Sequence, residues 1–149
     1  MKKRLAIMIP LAAVVAAVMV CLLAARPWLV TNDPNTYDIR ADAPVSIIFD
    51  QFDKTRGVYR IVNSGSEAAF CTNRFALQYQ KNGGWYNVKA DNSGENQVAL
   101  KLEPGGTEYF STFWRSGEKP IPGGEYRLVT PIKTGSGGDY WIAAPFSVP

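Results

Sequence analysis

Hydrophobic residues follow two different patterns along the chain. From Leu5 to Ala25 every residue is uncharged and nearly all are apolar, while Lys2–Arg4 precede this run and Arg26 closes it. From Val45 onward, apolar and polar residues alternate in short stretches that Gly, Pro and Asn interrupt. The unbroken run is typical of a membrane helix, and the alternation is typical of β-strands that bury one face.

The apolar run predicts an uncleaved membrane anchor. As a helix, Leu5–Ala25 spans about 31 Å at roughly 1.5 Å per residue, and the hydrocarbon core of a bilayer is roughly 30 Å thick. A cleaved signal peptide would have a shorter run and a small-x-small site, but the best candidate, Leu23–Ala25, begins with a leucine. Because cations concentrate before the run, we expect residues 1–4 in the cytoplasm, a single-pass signal anchor at residues 5–25, and the rest of the chain outside the cell membrane.

A stem and one domain are expected to follow the anchor. Residues 26–42 combine proline and asparagine with no sustained apolar period, which predicts an extracytoplasmic stem. Trp28 lies where the membrane–water interface is expected, as in an aromatic belt. Residues 43–149 have the usual length of one domain and are numerous enough to bury a single core.

The alternating part predicts an all-β domain. Turn signals such as Asn82-Gly83 and Pro104-Gly105 separate eight short stretches, and no segment after Trp28 has a helical period. Seven or eight strands at this spacing indicate an antiparallel sandwich or barrel. The predicted strands are Val45–Asp50, Val58–Asn63, Asn73–Gln80, Trp85–Lys89, Gln97–Glu103, Glu108–Trp114, Glu125–Lys133 and Tyr140–Val148.

Alternation also assigns residues to the inward face of the last predicted hairpin, where large aromatic side chains supply much of the buried area. Tyr126 starts its strand after a pair of glycines, so we expect its hydroxyl to bond back to upstream backbone as in a tyrosine corner. The predicted core residues are Trp85, Tyr126, Leu128, Ile142 and Phe146.

The opposite face of this hairpin is unusually apolar for a solvent-facing strand surface. A tryptophan beside valine and proline predicts either a partner site or cover by another segment such as the stem. Arginine and tryptophan are both enriched at binding hot spots, which favours the partner site. The candidate interaction patch consists of Arg127, Val129, Pro131, Trp141, Ala143 and Pro145.

Composition adds two constraints. The formal net charge of +3 is misleading, because four of the 16 basic residues flank the apolar run whereas all 13 acidic residues follow it. The exported part is therefore close to neutral and has no cationic cluster, which argues against nucleic-acid binding. The domain contains a single cysteine, Cys71, so it forms no internal disulfide, and this thiol is either buried or exposed.

No catalytic, cofactor-binding or metal site is predicted. The chain has no histidine, which excludes histidine-dependent acid–base catalysis and histidine-containing zinc sites. Ser116–Lys119 and Lys133–Gly135 match the S-x-x-K and K-T-G motifs of penicillin-recognising enzymes, but Gly117 and Pro120 prevent the helix that such a serine opens. Asp91–Asn96 offers oxygen atoms for Ca²⁺, although such a run is usually a solvated turn.

Several segments carry a family resemblance when their order and spacing are taken together: Ile61–Ser64, Gly84–Val88, Leu102–Gly105, Pro122–Val129 and Ala143–Phe146. They resemble the bacterial immunoglobulin-like domain of small secreted or membrane-attached proteins of Gram-positive organisms, over about residues 44–149. The resemblance implies an immunoglobulin-like β-sandwich without known catalytic residues. The chain departs from the family pattern at Phe70–Asn73, at Ser116-Gly117 and at Ile121.

Two non-enzymatic functions fit these observations. The leading hypothesis is a membrane-anchored interaction module that binds another envelope or extracellular protein. The alternative is a module that binds cell-wall glycans through exposed Trp or Tyr rings, and it depends on whether Trp114 and Trp141 are exposed. A spacer without a ligand of its own is the third possibility.

Overall fold

The structure, a computed structural model, describes residues 31, 34, 37–88, 99–115 and 118–149. Within these residues no helix is long and apolar enough to cross a bilayer, and the predicted anchor at residues 5–25 lies outside them. Nine β-strands are formed in the described part of the chain: β1 Val45–Phe52, β2 Arg56–Asn63, β3 Ala69–Thr72, β4 Ala76–Lys81, β5 Gly84–Asn87, β6 Ala99–Leu102, β7 Thr107–Phe113, β8 Gly124–Thr134 and β9 Asp139–Val148.

The strands form two antiparallel sheets that pack as a sandwich. The small sheet has the order β1-β2-β7. In the large sheet, the long strand β8 pairs with β9 along one edge and with both β4 and β3 along the other. Strands β5 and β6 continue the large sheet beyond β4 and β3 respectively. The apolar residues between the two sheets form one core.

The predicted all-β fold is confirmed, with one strand more than the eight that the alternation indicated. The additional strand is β3, which pairs with β6 on one side and β8 on the other. The predicted strand Asn73–Gln80 begins only at Ala76. A four-residue strand held by two partners distant in sequence leaves too short a pattern to be recognised by period alone.

The side chain of Trp114 occupies the centre of the core. Its ring stacks on Phe146 with centroids 5.0 Å apart and meets Phe49 edge-on at 6.3 Å. Its indole N–H donates a 2.7 Å hydrogen bond to the backbone oxygen of Asp53 in the β1–β2 turn. Gly57 faces this ring, and a Cβ there would collide with the indole. Trp114 therefore joins the end of β7 to the β1–β2 hairpin and to the large sheet.

The buried side chain of Asn63 joins the two sheets at the other end of β2. Its amide nitrogen donates to the backbone oxygens of Glu67, Leu102 and Glu103 at 2.9, 3.1 and 3.3 Å. Its amide oxygen accepts a 2.9 Å hydrogen bond from the N–H of Gly65. Because Leu102 ends β6, these bonds connect the small sheet to the large one with an unusually complete set of partners for a buried amide.

The expected tyrosine-corner hydrogen bond is present. The hydroxyl of Tyr126 donates a 2.7 Å hydrogen bond to the backbone oxygen of Pro122. The ring of Tyr126 is fully buried and stacks on Phe146 with centroids 5.7 Å apart. The hydroxyl thus fixes the chain that leads into β8 while the ring contributes to the core.

We predict that Asn63→Asp destabilises the domain by about 2–4 kcal/mol, because a buried carboxylate would face three carbonyl oxygens that now accept hydrogen bonds. Chemical denaturation of a chain beginning at Thr31 measures the free energy of unfolding. Asn73→Asp is the matched control, since Asn73 is exposed and its change is expected to cost less than about 0.5 kcal/mol. Equal losses for the two variants would contradict the bridging role of Asn63.

Candidate interaction surfaces

The six residues of the predicted patch share the outer face of the large sheet. The β8–β9 register places Arg127 opposite Pro145, Val129 opposite Ala143 and Pro131 opposite Trp141. Only Pro145 is exposed, Val129 has no accessible surface, and the other four are half-buried. The patch is therefore not an open surface.

The segment predicted as a stem covers the patch. We call residues 31–40 the strap, of which Thr31, Pro34 and Tyr37–Arg40 are described. The ring of Tyr37 packs on Trp141 with centroids 4.4 Å apart. Ile39 forms a parallel bridge with Trp141, and the N–H of Arg40 donates a 2.9 Å hydrogen bond to the oxygen of the same residue. Residues on the N-terminal side of position 43 thus pack against the domain.

A chain of polar groups crosses the outer face beneath the strap. Arg127 Nε donates a 2.7 Å hydrogen bond to Gln78 Oε1, and Gln78 Nε2 donates to Asn87 Oδ1 at 2.9 Å. Asn87 Nδ2 in turn lies 3.4 Å from the hydroxyl of Tyr37. Gln78 is completely buried, and partial burial lowers the pKa of the Arg127 guanidinium. These bonds allow polar side chains to be covered without loss of their partners.

The structure corrects the prediction that Trp85 belongs to the core. Trp85 lies on the outer face of the large sheet and is half-buried, with the guanidinium carbon of Arg127 4.4 Å from its ring centroid. The other four predicted core residues, Tyr126, Leu128, Ile142 and Phe146, are buried between the sheets.

The β4–β5 turn explains the orientation of Trp85. The two turn residues, Asn82 and Gly83, both have positive φ, which is typical of a type I′ hairpin turn. This two-residue turn pairs Tyr79 with Tyr86, and both rings pack against the core. Trp85, one position away, must therefore point outwards.

The tryptophan positions do not favour glycan stacking. Trp114 is fully buried, and the ring of Trp141 is half-buried against Tyr37. Trp85 has the guanidinium of Arg127 over its ring. Trp28 lies outside the described residues. None of the three described indoles presents a fully exposed ring face of the kind that stacks on a sugar.

A second surface, on the outside of the small sheet, is apolar and uncovered by the described residues. The β1-β2-β7 register places Ile48, Arg60 and Tyr109 in one row across the three strands. Ile48, Tyr109 and Phe113 are 39%, 67% and 41% exposed. We call this surface the open face; it comprises Ile48, Val58, Arg60, Val62, Tyr109 and Phe113.

One ion pair lies within the open face. Arg60 Nε is 3.3 Å from Asp50 Oδ1, and both side chains remain about one-third exposed. The guanidinium therefore sits among apolar side chains with its charge partly matched. A partly exposed pair of this kind adds little stability of its own but leaves charged groups available to a ligand.

The shifted pKa values belong to structural groups. Burial raises the pKa of the Cys71 thiol to about 11, so this core residue stays neutral at physiological pH, and burial likewise raises the pKa of Tyr59. Hydrogen bonds from the Thr55 hydroxyl and from the backbone of Thr55 and Arg56 lower the pKa of Asp53 to about 2. The stability contributed by this Asp53 turn is present above the ordinary carboxyl pKa and is lost as the pH falls towards 2.

The acidic residues do not assemble into a metal site in the part of the chain that the structure describes, since no group of three potential ligands converges there. A polar cleft of about 520 Å³ at the end of the β8–β9 hairpin includes Asp38, Asp42, Glu67 and Asp139 in its lining. Asp91–Asn96, the segment considered for Ca²⁺, lies outside the described residues.

The S-x-x-K and K-T-G matches remain without structural support as a catalytic pair. Ser116 and Gly117 lie outside the described residues. The side chain of Lys133 is exposed, with its Nζ 3.7 Å from Asp139 Oδ2. Thr134 is the last residue of β8, and its hydroxyl accepts a hydrogen bond from the N–H of Gly138. The described part of the two motifs therefore has the structure of ordinary turn and strand-end residues.

Comparison with known proteins identifies one family. A model described as a bacterial Ig-like domain matches residues 45–147. No curated protein matches the chain.

Solved structures give weak structural matches. Structural-genomics target SoR45 has a TM-score of 0.44 and 15% identity, over 72% of this chain and 88% of that one. The putative ApaA protein from Bordetella pertussis has a TM-score of 0.40 and 19% identity, over 77% and 95% of the two chains. The alkylpurine DNA glycosylase AlkC of Pseudomonas fluorescens, bound to DNA containing an abasic site analog, has a TM-score of 0.33 and 16% identity, over 71% of this chain and 30% of that one.

We predict that Trp141→Ala lowers the free energy of unfolding by about 1–3 kcal/mol, less than a fully buried tryptophan would, because one side of its ring packs only on the strap. In a double-mutant cycle, Tyr37→Ala and Trp141→Ala should couple by about 0.5–1.5 kcal/mol. Tyr109→Ala on the other sheet is the matched control and should not couple to Trp141→Ala. Independent effects of Tyr37 and Trp141 would show that the strap is not packed on the sheet.

Proposed function

The chain belongs to the bacterial Ig-like domain family, and from this premise we propose that it is a membrane-anchored interaction module. Residues 5–25 hold it in the cell membrane, and the sandwich lies on the extracytoplasmic side. Its ligand is an envelope or extracellular protein, which it binds through the open face. The family membership supports an interaction module, and the sequence pattern of the apolar run supports the anchor.

The observation that carries the proposal is the exposure of large apolar side chains on one sheet. An antiparallel sheet that faces water on one side normally alternates apolar and polar residues, with the polar ones outside. Here Tyr109 is 67% exposed and shares a row with Ile48, while Phe113 lies four residues further along β7. Several large apolar side chains exposed on one face of a sheet are typical of a binding site.

The chemistry of the open face fits a protein ligand. Aromatic residues and arginine are enriched in protein–protein interfaces, and an aliphatic surface around them favours burial against another apolar surface. Ile48 and the partly buried Val58 and Val62 provide that aliphatic surface around Arg60. A protein partner would bury Tyr109 together with this aliphatic surface.

We also propose that the chain has no catalytic activity of its own. The absence of histidine from the sequence removes the commonest general base. The pKa shifts at Cys71 and Tyr59 follow from burial in the core, and the pKa shift at Asp53 follows from the hydrogen bonds of its turn, so each has a structural cause.

The test is site-specific photocrosslinking of the full chain in its own cells. A photoreactive phenylalanine at position 109 is expected to give a discrete protein adduct, because Tyr109 is the most exposed large apolar side chain of the open face. The adduct should decrease at least about tenfold when Ile48→Asp places a charge in the same row. The matched control is the same photoreactive residue at Lys133, an exposed position of the large sheet.

Two results would contradict the protein-binding function. The first is the same set of adducts from positions 109 and 133, which would indicate random collision. The second is that no protein adduct forms, while the purified domain is retained on wall glycan and Tyr109→Ala abolishes that retention. This result would favour the glycan-binding alternative.

A further inference from the structure

The docked strap determines the point at which the N-terminal part of the chain reaches the sandwich. The N–H of Thr31 donates a 2.9 Å hydrogen bond to the backbone oxygen of Asn87, the last residue of β5. Pro34 lies beside Gly84, the first residue of β5, because a Cβ at Gly84 would be 3.6 Å from the Cβ of Pro34. The strap therefore begins along β5, which is the edge strand of the large sheet on that side.

Very little chain separates this edge from the proposed anchor. Only residues 26–30 lie between Ala25 and Thr31, and six Cα–Cα steps extend to at most about 20 Å. If the strap were not docked, the tether would run to residue 43 and reach about 60 Å. Docking of the strap therefore restricts β5 to the immediate neighbourhood of the bilayer surface.

The β4–β5 hairpin has the composition of a surface that contacts lipid headgroups. No Asp or Glu occurs between Ala68 and Ala90; Lys81 is the cation of the hairpin itself, and Arg74 lies two residues before β4. Trp85 is half-buried on the outer face and lies about 7 Å along the strand from Asn87, at roughly 3.4 Å per residue. Tryptophan favours the headgroup level, and a cation near an anionic surface is attracted to it.

We propose that the β4–β5 hairpin rests on the lipid headgroups of the bilayer that carries the anchor, so that the strap fixes the orientation of the domain on the membrane. The proposal rests on the anchoring part of the proposed function. It assigns Trp85 and Lys81 to lipid contact and leaves the open face, on the other sheet, free for a protein.

The test uses the full chain in vesicles of phosphatidylethanolamine and phosphatidylglycerol that carry a quencher on a fraction of the headgroups. Cys21→Ser removes one thiol, and Cys71 stays unlabelled because it is buried. A fluorophore is attached at Gln80→Cys, beside Trp85, or at the control position Ser111→Cys on the open face; both native residues are exposed. Quenching at position 80 is expected to be at least about threefold stronger than at position 111, because only the hairpin reaches the headgroup level.

Release of the strap provides the second measurement. Tyr37→Ala with Arg40→Pro removes the ring contact with Trp141 and the N–H that bonds to its oxygen. The longer tether should reduce quenching at position 80 to the level at position 111. Lys81→Glu, in the intact strap background, should also reduce it, because a carboxylate is repelled by phosphatidylglycerol.

The outcomes separate this inference from the anchoring on which it rests. A chain that floats with the vesicles but shows equal quenching at positions 80 and 111 would retain the anchor and overturn the hairpin contact, leaving Trp85 and Lys81 available to a protein. Quenching that is unchanged after strap release would overturn the orienting role of the strap and the proposal with it. A chain that does not float with the vesicles would overturn both the anchor and the hairpin contact.

Discussion

A two-layer sandwich has two outer faces, and apolar residues on either face must be covered by the chain itself or bound by a partner. On the large sheet, Val129, Trp141 and Ala143 lie outside the core, and Val129 nevertheless has no accessible surface. The strap provides part of this cover through Tyr37 and through its backbone hydrogen bond to the edge of β9. It also occupies part of an edge that would otherwise be open to pairing with another strand.

This constraint makes the two faces unequal. The strap covers part of the apolar outer face of the large sheet. A polar network through Gln78 and Asn87 keeps the covered polar side chains hydrogen-bonded. The small sheet has no such cover from the described residues, so Ile48 and Tyr109 remain in contact with solvent. The two sheets are connected at both ends of β2. Trp114 stacks on Phe146 of the large sheet at one end, and Asn63 bonds to the backbone of Leu102 at the other.

Much of the sandwich can be predicted from the sequence, because period-two alternation indicates which side of a strand is buried. The predicted bounds of β8 and β9 agree with the structure to within one residue, and alternation along β8 places Tyr126 on the inward face. The orientation of Trp85 was predictable in principle from the Asn82-Gly83 turn, whose two residues set the register of the hairpin. Trp85 and Tyr86 are adjacent aromatic residues, so without that register their side-chain type alone does not decide which of them faces the core.

The strap and the open face could not be derived in the same way. Tyr37 and Ile39 form too short an alternation to indicate a strand, and their cover of Trp141 depends on a contact between residues about a hundred positions apart. The sequence left two possibilities for the patch, a partner site or cover by the stem, and only the packing of Tyr37 distinguishes them. The open face was missed because Tyr109 and Phe113 look like core aromatics when only their side-chain type is considered.

Docking of the residues that precede the sandwich onto its large sheet can be measured by amide hydrogen exchange. The N–H of Arg40 donates to the oxygen of Trp141 at the edge of β9 and has no other reason to be protected. In a chain beginning at Thr31, we expect this amide to exchange far more slowly than in an unstructured peptide, and to lose that protection in Tyr37→Ala while the β2 amides keep theirs. Exchange of the Arg40 amide at the rate of an unstructured peptide, in a domain whose β2 amides are protected, would contradict the account.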